Sequence, residues 1–257
     1  AQGVEFRWNE RVRACRAPGR GPIRLTLSSG ATLAVDAVLV AAGRRAELAG
    51  LGLEAAGLAP DERGLLAVDA RFRTAVPHVL AAGDVVGFPA LASASAEQAR
   101  VAVCAAFGAR FKRELAPLFP SGIYTIPEAS AVGATEEELR ARGVDYVVGR
   151  AEYAASARGA IIGDEAGFVK LLFRRRDLRL LGAHLLGEQA TELVHVALMA
   201  LECGAGAAEL ERACFNVPTL SNLFKDAAYR ARIARDLPAT ARRIARGGGG
   251  RTPRRQA

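Results

Sequence analysis

Apolar and polar positions divide the chain into two differently patterned stretches. Residues 4–8, 11–16 and 23–28 alternate or run apolar between the turn signals Pro18-Gly19-Arg20-Gly21-Pro22 and Ser29-Gly30, which predicts short sheet strands. Thr32–Val40 then feeds Ala41-Ala42-Gly43-Arg44, the pattern of a buried parallel strand whose carboxyl end faces a ligand. Leu65–Val68 and His78–Ala82 predict two further strands, and Ser93–Ala109 has helical spacing, with Ser95 and Gln98 placed as a capping box and Gly108 as the stop.

The order changes after Leu118-Phe119-Pro120-Ser121-Gly122. Thr135 and Glu138 cap a helix running to about Arg142, and Tyr146–Tyr153, Ala166–Arg174 and Leu178–Leu186 predict strands. Helices over Gln189–Cys203 and Leu220–Asp236 follow, and strands succeeded by helices on one face make an α+β module.

Composition narrows the class. With 51% hydrophobic and 24% charged residues in 257, the chain reads as an ordinary globular protein. No apolar run approaches the ~20 residues that span a bilayer, and no signal peptide is expected from Ala-Gln-Gly-Val-Glu-Phe-Arg-Trp, so the expected compartment is the cytoplasm with no membrane partner. Nine arginines from Arg230 onward face one acid, Asp236, and account for the whole net charge of +8. That basicity is concentrated at the C-terminal end, where an Arg/Gly-rich tail, residues 237–257, is expected to be unstructured and solvated; nucleic acid is therefore not an expected partner. Cys15, Cys104, Cys203 and Cys214 form no CxxC or zinc-spaced cluster and read as reduced core thiols, with no metal site expected.

The chemistry concentrates in Thr74-Ala-Val-Pro-His-Val-Leu-Ala-Ala-Gly83-Asp84. A glycine lets a ligand approach backbone, and an acid at the strand tip can accept hydrogen bonds from sugar-type hydroxyls. Seven residues on, Leu91-Ala92-Ser93 opens a helix whose unpaired N–H groups face the same crevice. On these features alone a site for a polyhydroxylated, electron-rich ligand and an ordinary βα turn both remain open.

This segment resembles the second flavin-contact motif of the pyridine nucleotide-disulfide oxidoreductase family. The resemblance extends over residues 1–235, through Ala41-Ala42-Gly43-Arg44, Tyr124-Thr-Ile-Pro127-Glu128, Gly133, Gly167-Phe-Val-Lys170 and Gly182-Ala-His184-Leu-Leu-Gly187-Glu188. It implies the C-terminal parts of two Rossmann-like FAD- and NAD(P)-binding domains, an α/β arrangement, followed by an α+β dimerisation domain. The implied divisions are 1–45 (end of the NAD(P) unit), 46–118 (C-terminal part of the FAD unit) and 119–236 (dimerisation). It also implies a homodimer formed through the last unit. Asp84, after Gly83, takes the ribityl-binding role; Ala90, Leu91, Ala92 and Ser93 line the pyrimidine side of the flavin, and Gly43 abuts the nicotinamide nucleotide.

Phe215-Asn216-Val217-Pro218-Thr219-Leu220-Ser221-Asn222 points to a branch of that family. Its thiol enzymes have His where Val217 stands and Glu where Asn222 stands, and valine moves no proton. Phe-Asn-x-Pro-Thr resembles the transhydrogenase branch, which passes hydride from NADPH to NAD through FAD, although that branch has Tyr and Glu at positions 217 and 222. No catalytic side chain is therefore assigned. The alternatives are a dihydrolipoyl dehydrogenase-like or mercuric reductase-like enzyme without its dyad, or a non-catalytic dimerisation module. His184 and His195 read as packing residues, His78 as a loop residue, and Glu188 with Glu192 as a solvated helix start. No Gly-x-Gly-x-x-Gly occurs in the 257 residues, so this chain by itself is expected to bind FAD weakly and to be inactive.

Overall fold

A computed structural model describes residues 3–237. The sequence reading of the tail therefore lies outside the described residues, except for Leu237. Two antiparallel sheets are present. Val12–Arg16 (β1), Ile23–Leu27 (β2) and Thr32–Val35 (β3) form a meander in the order β1-β2-β3. Ser121–Ile123 (β4), Ala129–Gly133 (β5), Tyr146–Glu152 (β6), Phe168–Arg174 (β7) and Leu180–Leu186 (β8) form the second, in the order β4-β5-β8-β7-β6. The helices are Ala92–Phe107 (α1), Glu136–Ala141 (α2), Ala157–Ile162 (α3), Ala190–Glu202 (α4), Ala207–Arg212 (α5) and Asn222–Asp236 (α6).

The second sheet carries the larger core. Strand alternation sends Val147 and Ala151 of β6, Val169, Leu171 and Phe173 of β7, and Ala183 and Leu185 of β8 to one face, where all are buried. Helices α4 and α6 lie on that face. They present Val194 and Ala197, and Phe224, Ala227, Ala228 and Ala231, at helical spacing. Small residues bring α6 close: a β-carbon on Gly149 of β6 would run into the Ala227 carbonyl. The capping box of α2 forms as the sequence predicts, with Thr135 Oγ1 accepting from Glu138 N at 3.2 Å and Glu138 Oε2 accepting from Thr135 N at 2.9 Å.

The first half corrects several expectations. Residues 4–8 form no strand; Phe6 and Trp8 stack on one another at 5.1 Å and stay exposed. The strand expected over Thr32–Val40 ends at Val35 and is antiparallel. Leu39 is 92% and Val40 79% exposed, because no neighbouring strand pairs with residues 36–43 among the described residues. Leu65–Val68 and His78–Ala82 also form no strand; isolated backbone contacts hold them, among them the Arg73–Leu80 bridge, Leu66 N to Val85 O at 2.8 Å and Ala81 N to Phe72 O at 3.1 Å. A small cluster of Phe72, Val101 and Ala102 joins this region to α1.

The Ser95–Gln98 capping box is absent. Leu91 is extended and begins the helix, so Ser95 and Gln98 lie inside α1. Of the cysteines only Cys104 is buried; Cys15, Cys203 and Cys214 are exposed, against the core reading. His195 likewise sits on the outer face of α4, its Nδ1 3.0 Å from Glu192 O, so it packs nothing. His184 is half-buried on β8 with Nε2 3.2 Å from Ala134 O, and His78 is an exposed loop residue.

Candidate functional site

Gly83 is the pivot of the site. It is buried and adopts φ 88°, ψ −158°, a conformation open only to glycine, and it directs Asp84 into a one-turn 3-10 helix, Asp84–Val86. Its N–H donates to Gln98 Oε1 at 2.7 Å. Gln98 is 2% exposed and shares the inward face of α1 with Ala94, Val101 and Ala102. Ser95 packs behind the same glycine, 3.4 Å from where a β-carbon would stand.

Asp84 is half-buried, and Arg44 reaches it from the segment after Gly43. Arg44 NH1 lies 3.1 Å from Asp84 Oδ2, while NH2 donates to the Ala90 carbonyl at 2.6 Å. One guanidinium thus joins the segment after Gly43 to the acid and to the turn before α1, which lie 40 and 46 residues further along the chain. The cleft beneath has a volume of about 260 Å³, with Arg45, Arg63 and Phe88 on its other sides.

The start of α1 faces solvent without a side-chain cap: Leu91 is half-buried, and Ala92 and Ser93 are exposed. Its first N–H groups and the positive end of its dipole are therefore available to an electron-rich group. The structure brings Asp84 and Ala90 together at Arg44, with Gly83 and Leu91 as their chain neighbours. Gly43 is exposed at φ 120°, and a β-carbon there would meet nothing within 4 Å, so it touches the cleft only through Arg44. Sequence reasoning missed the roles of Arg44 and Gln98. Gln98 carried a signal, being the one polar residue in the apolar stripe of α1, although it read as half of a capping box.

The Phe215–Asn222 loop lies in the second unit. Val217 is 73% exposed, and Thr219 Oγ1 donates to Asn216 O at 2.6 Å, so this segment holds no titratable side chain.

Residues 119–228 match the family model described as pyridine nucleotide-disulphide oxidoreductase, dimerisation domain, and residues 1–103 match that described as pyridine nucleotide-disulphide oxidoreductase. The chain belongs to the pyridine nucleotide-disulphide oxidoreductase family. It is 45% identical over 225 residues to the soluble pyridine nucleotide transhydrogenase of Mycobacterium tuberculosis, covering 88% of this chain and 48% of that protein. The protein of the same name from Yersinia pestis is 42% identical over 229 residues, with 88% and 49% covered.

Among solved structures, LpdA from Mycobacterium tuberculosis superposes with a TM-score of 0.80 at 28% identity, covering 89% of this chain and 50% of that one. The HOCl-induced flavoprotein disulfide reductase RclA from Escherichia coli gives 0.77 at 31% identity, covering 82% and 48%. The chain spans about half the length of the relatives it matches. Its fold is the C-terminal part of the family's nucleotide-binding region followed by an α+β dimerisation domain.

The family's flavin is tested by the donor set. A half-buried carboxylate at a glycine turn and an uncapped helix start fit a ribityl chain and a flavin ring edge. Nothing in the 257 residues supplies the Gly-x-Gly-x-x-Gly turn that carries a pyrophosphate. The fit is to one half of the cofactor. No helix among the described residues is long and apolar enough to cross a membrane.

Proposed function

We propose that this chain forms part of an FAD-dependent NAD(P) transhydrogenase that moves hydride from NADPH to NAD, homodimeric through residues 119–236 and working in the cytoplasm. The observation that carries the reading is the meeting of Asp84, the Ala90 carbonyl and the start of α1 around Arg44. The divisions 1–45, 46–118 and 119–236 belong to the same proposal.

Bound FAD supplies the hydride-accepting and hydride-donating centre. Asp84 accepts hydrogen bonds from the ribityl hydroxyls. Ala90, Leu91, Ala92 and Ser93 line the pyrimidine edge, where the first N–H groups of α1 offset negative charge. Gln98 holds the Gly83 amide and so fixes where Asp84 begins. Arg44 orients the Asp84 carboxylate and ties it to the segment beside Gly43, which abuts the nicotinamide nucleotide. None of these residues moves a proton, and Val217 and Asn222 leave the chain without the dyad that thiol chemistry uses. The resemblance to soluble transhydrogenases supports that choice of acceptor.

A second reading, a non-catalytic dimerising scaffold, is favoured by Val217 and Asn222, which leave the Phe215–Asn222 segment without a side chain that moves a proton. The test is hydride transfer from NADPH to an NAD analogue by the whole FAD-loaded flavoprotein of which this chain forms part, comparing Asp84→Ala with wild type. Transfer that Asp84→Ala removes supports the transhydrogenase; a colourless, inactive dimer supports the scaffold.

A further inference from the structure

A second cleft lies away from the flavin half-site, between the Ile126–Pro127 turn, α3 and the start of α4. Its volume is about 490 Å³, within the ~300–1,000 Å³ typical of small-molecule sites. Ile126, Pro127, Ile162 and Leu220 make its apolar walls, and Arg158, Asp164 and Glu188 supply its charges.

Those charges are not equivalent. Asp164 is spent internally: Oδ1 accepts from Ala166 N at 3.0 Å and Gly167 N at 2.9 Å, and Oδ2 accepts from Glu188 N at 2.9 Å. Three N–H donors absorb its charge and lock the α3–β7 loop onto the approach to α4. Glu188 is exposed at the rim, where water solvates it. Arg158 is half-buried within the cleft and makes no ion pair or hydrogen bond among the described residues. A guanidinium carries five donors in a planar fork that matches a carboxylate bidentately. Here it stands beside an apolar wall with that fork unused.

We propose that this cleft binds a small amphipathic carboxylate, its apolar body against Ile162, Pro127 and Leu220 and its carboxylate on Arg158. A planar aromatic body suits the flat face of Pro127 and the volume. The site is independent of the flavin reading, since its lining residues are all different from those of the cleft at Asp84.

The probe is 2-naphthoate, titrated into the 257-residue chain and followed by backbone amide NMR. Shifts are expected at Arg158, Ile162, Gly163, Ala166 and Glu188. Arg158→Gln and the neutral analogue 2-naphthamide should each weaken binding about tenfold or more, the loss of one charge-assisted pair, while Arg158→Lys retains part of the affinity. Because Arg158 bonds to nothing in the fold, the melting temperature of Arg158→Gln should match wild type, which separates lost binding from lost folding. Equal binding by Arg158→Gln, or shifts clustered elsewhere, overturns the proposal. So does binding that vanishes as the protein dimerises, which would assign the cleft to a second copy.

Discussion

Replacing Gln98 with leucine tests whether α1 holds the Asp84 turn. Leucine nearly keeps the volume of a residue that is 2% exposed, so cavity terms stay small, but it removes the acceptor 2.7 Å from Gly83 N. The Gly83 N–H is then left buried beside an apolar side chain. Such a donor costs about 1–3 kcal/mol, which amounts to roughly 5- to 150-fold in the opening equilibrium of the turn. Glutamate at the same position keeps an acceptor and serves as the comparison. The assay is native-state hydrogen exchange read at Gly83, Asp84 and Val86, because local opening reports this turn even where the two halves of the chain unfold separately. Gln98→Leu should accelerate exchange there by that factor while leaving β6, β7 and β8 unchanged. Unaltered exchange at Gly83 would refute the idea that Gln98 positions the acid.

Gly149→Ala should destabilise the second unit by about 1–3 kcal/mol, since overpacking against a helix backbone is costly. Its β-carbon would collide with the Ala227 carbonyl and lie 2.9 Å from Ala231 Cβ, whereas Gly19→Ala, with nothing within 4 Å, should leave the thermal midpoint unchanged. His184 supplies a pH dependence. Burial chiefly pushes its pKa below 6.5, with the Lys170 ammonium adding to that and the Ala134 carbonyl, Glu136 and Glu137 opposing it. The unfolded chain therefore binds more protons between the two values, so the contribution of His184 is present above about pH 6.5 and is lost as pH falls through its depressed folded value. Denaturation midpoints from pH 7 to 5 should fall in wild type and fall less in His184→Gln; identical slopes would contradict this.

The second unit was legible because both sides of its core lie in the same chain. Alternation in Tyr146–Glu152 and Phe168–Arg174 names the buried face, and Phe224, Ala227, Ala228 and Ala231 name the helix surface that meets it. The first unit was not. Ala37–Gly43 and Leu65–Val68 have the composition of buried strands, yet a strand exists only when a neighbour completes its hydrogen bonds, and pattern does not reveal whether one is there. Around the site, Gly83 and Asp84 stood out as a glycine and an acid after an apolar run. Arg44 and Gln98 act across 40 and 15 residues, and local spacing carries no sign of such contacts. Three exposed cysteines show the same limit, since residue type alone placed them inside.

The most direct test of the flavin half-site is an amide NMR titration of the chain with FAD, run beside Asp84→Asn. Shifts that converge on Gly83, Asp84, Ala90, Leu91, Ala92 and Ser93 and weaken in the variant are the predicted result. Saturating FAD that leaves those amides unmoved, or moves them equally in Asp84→Asn, would contradict it.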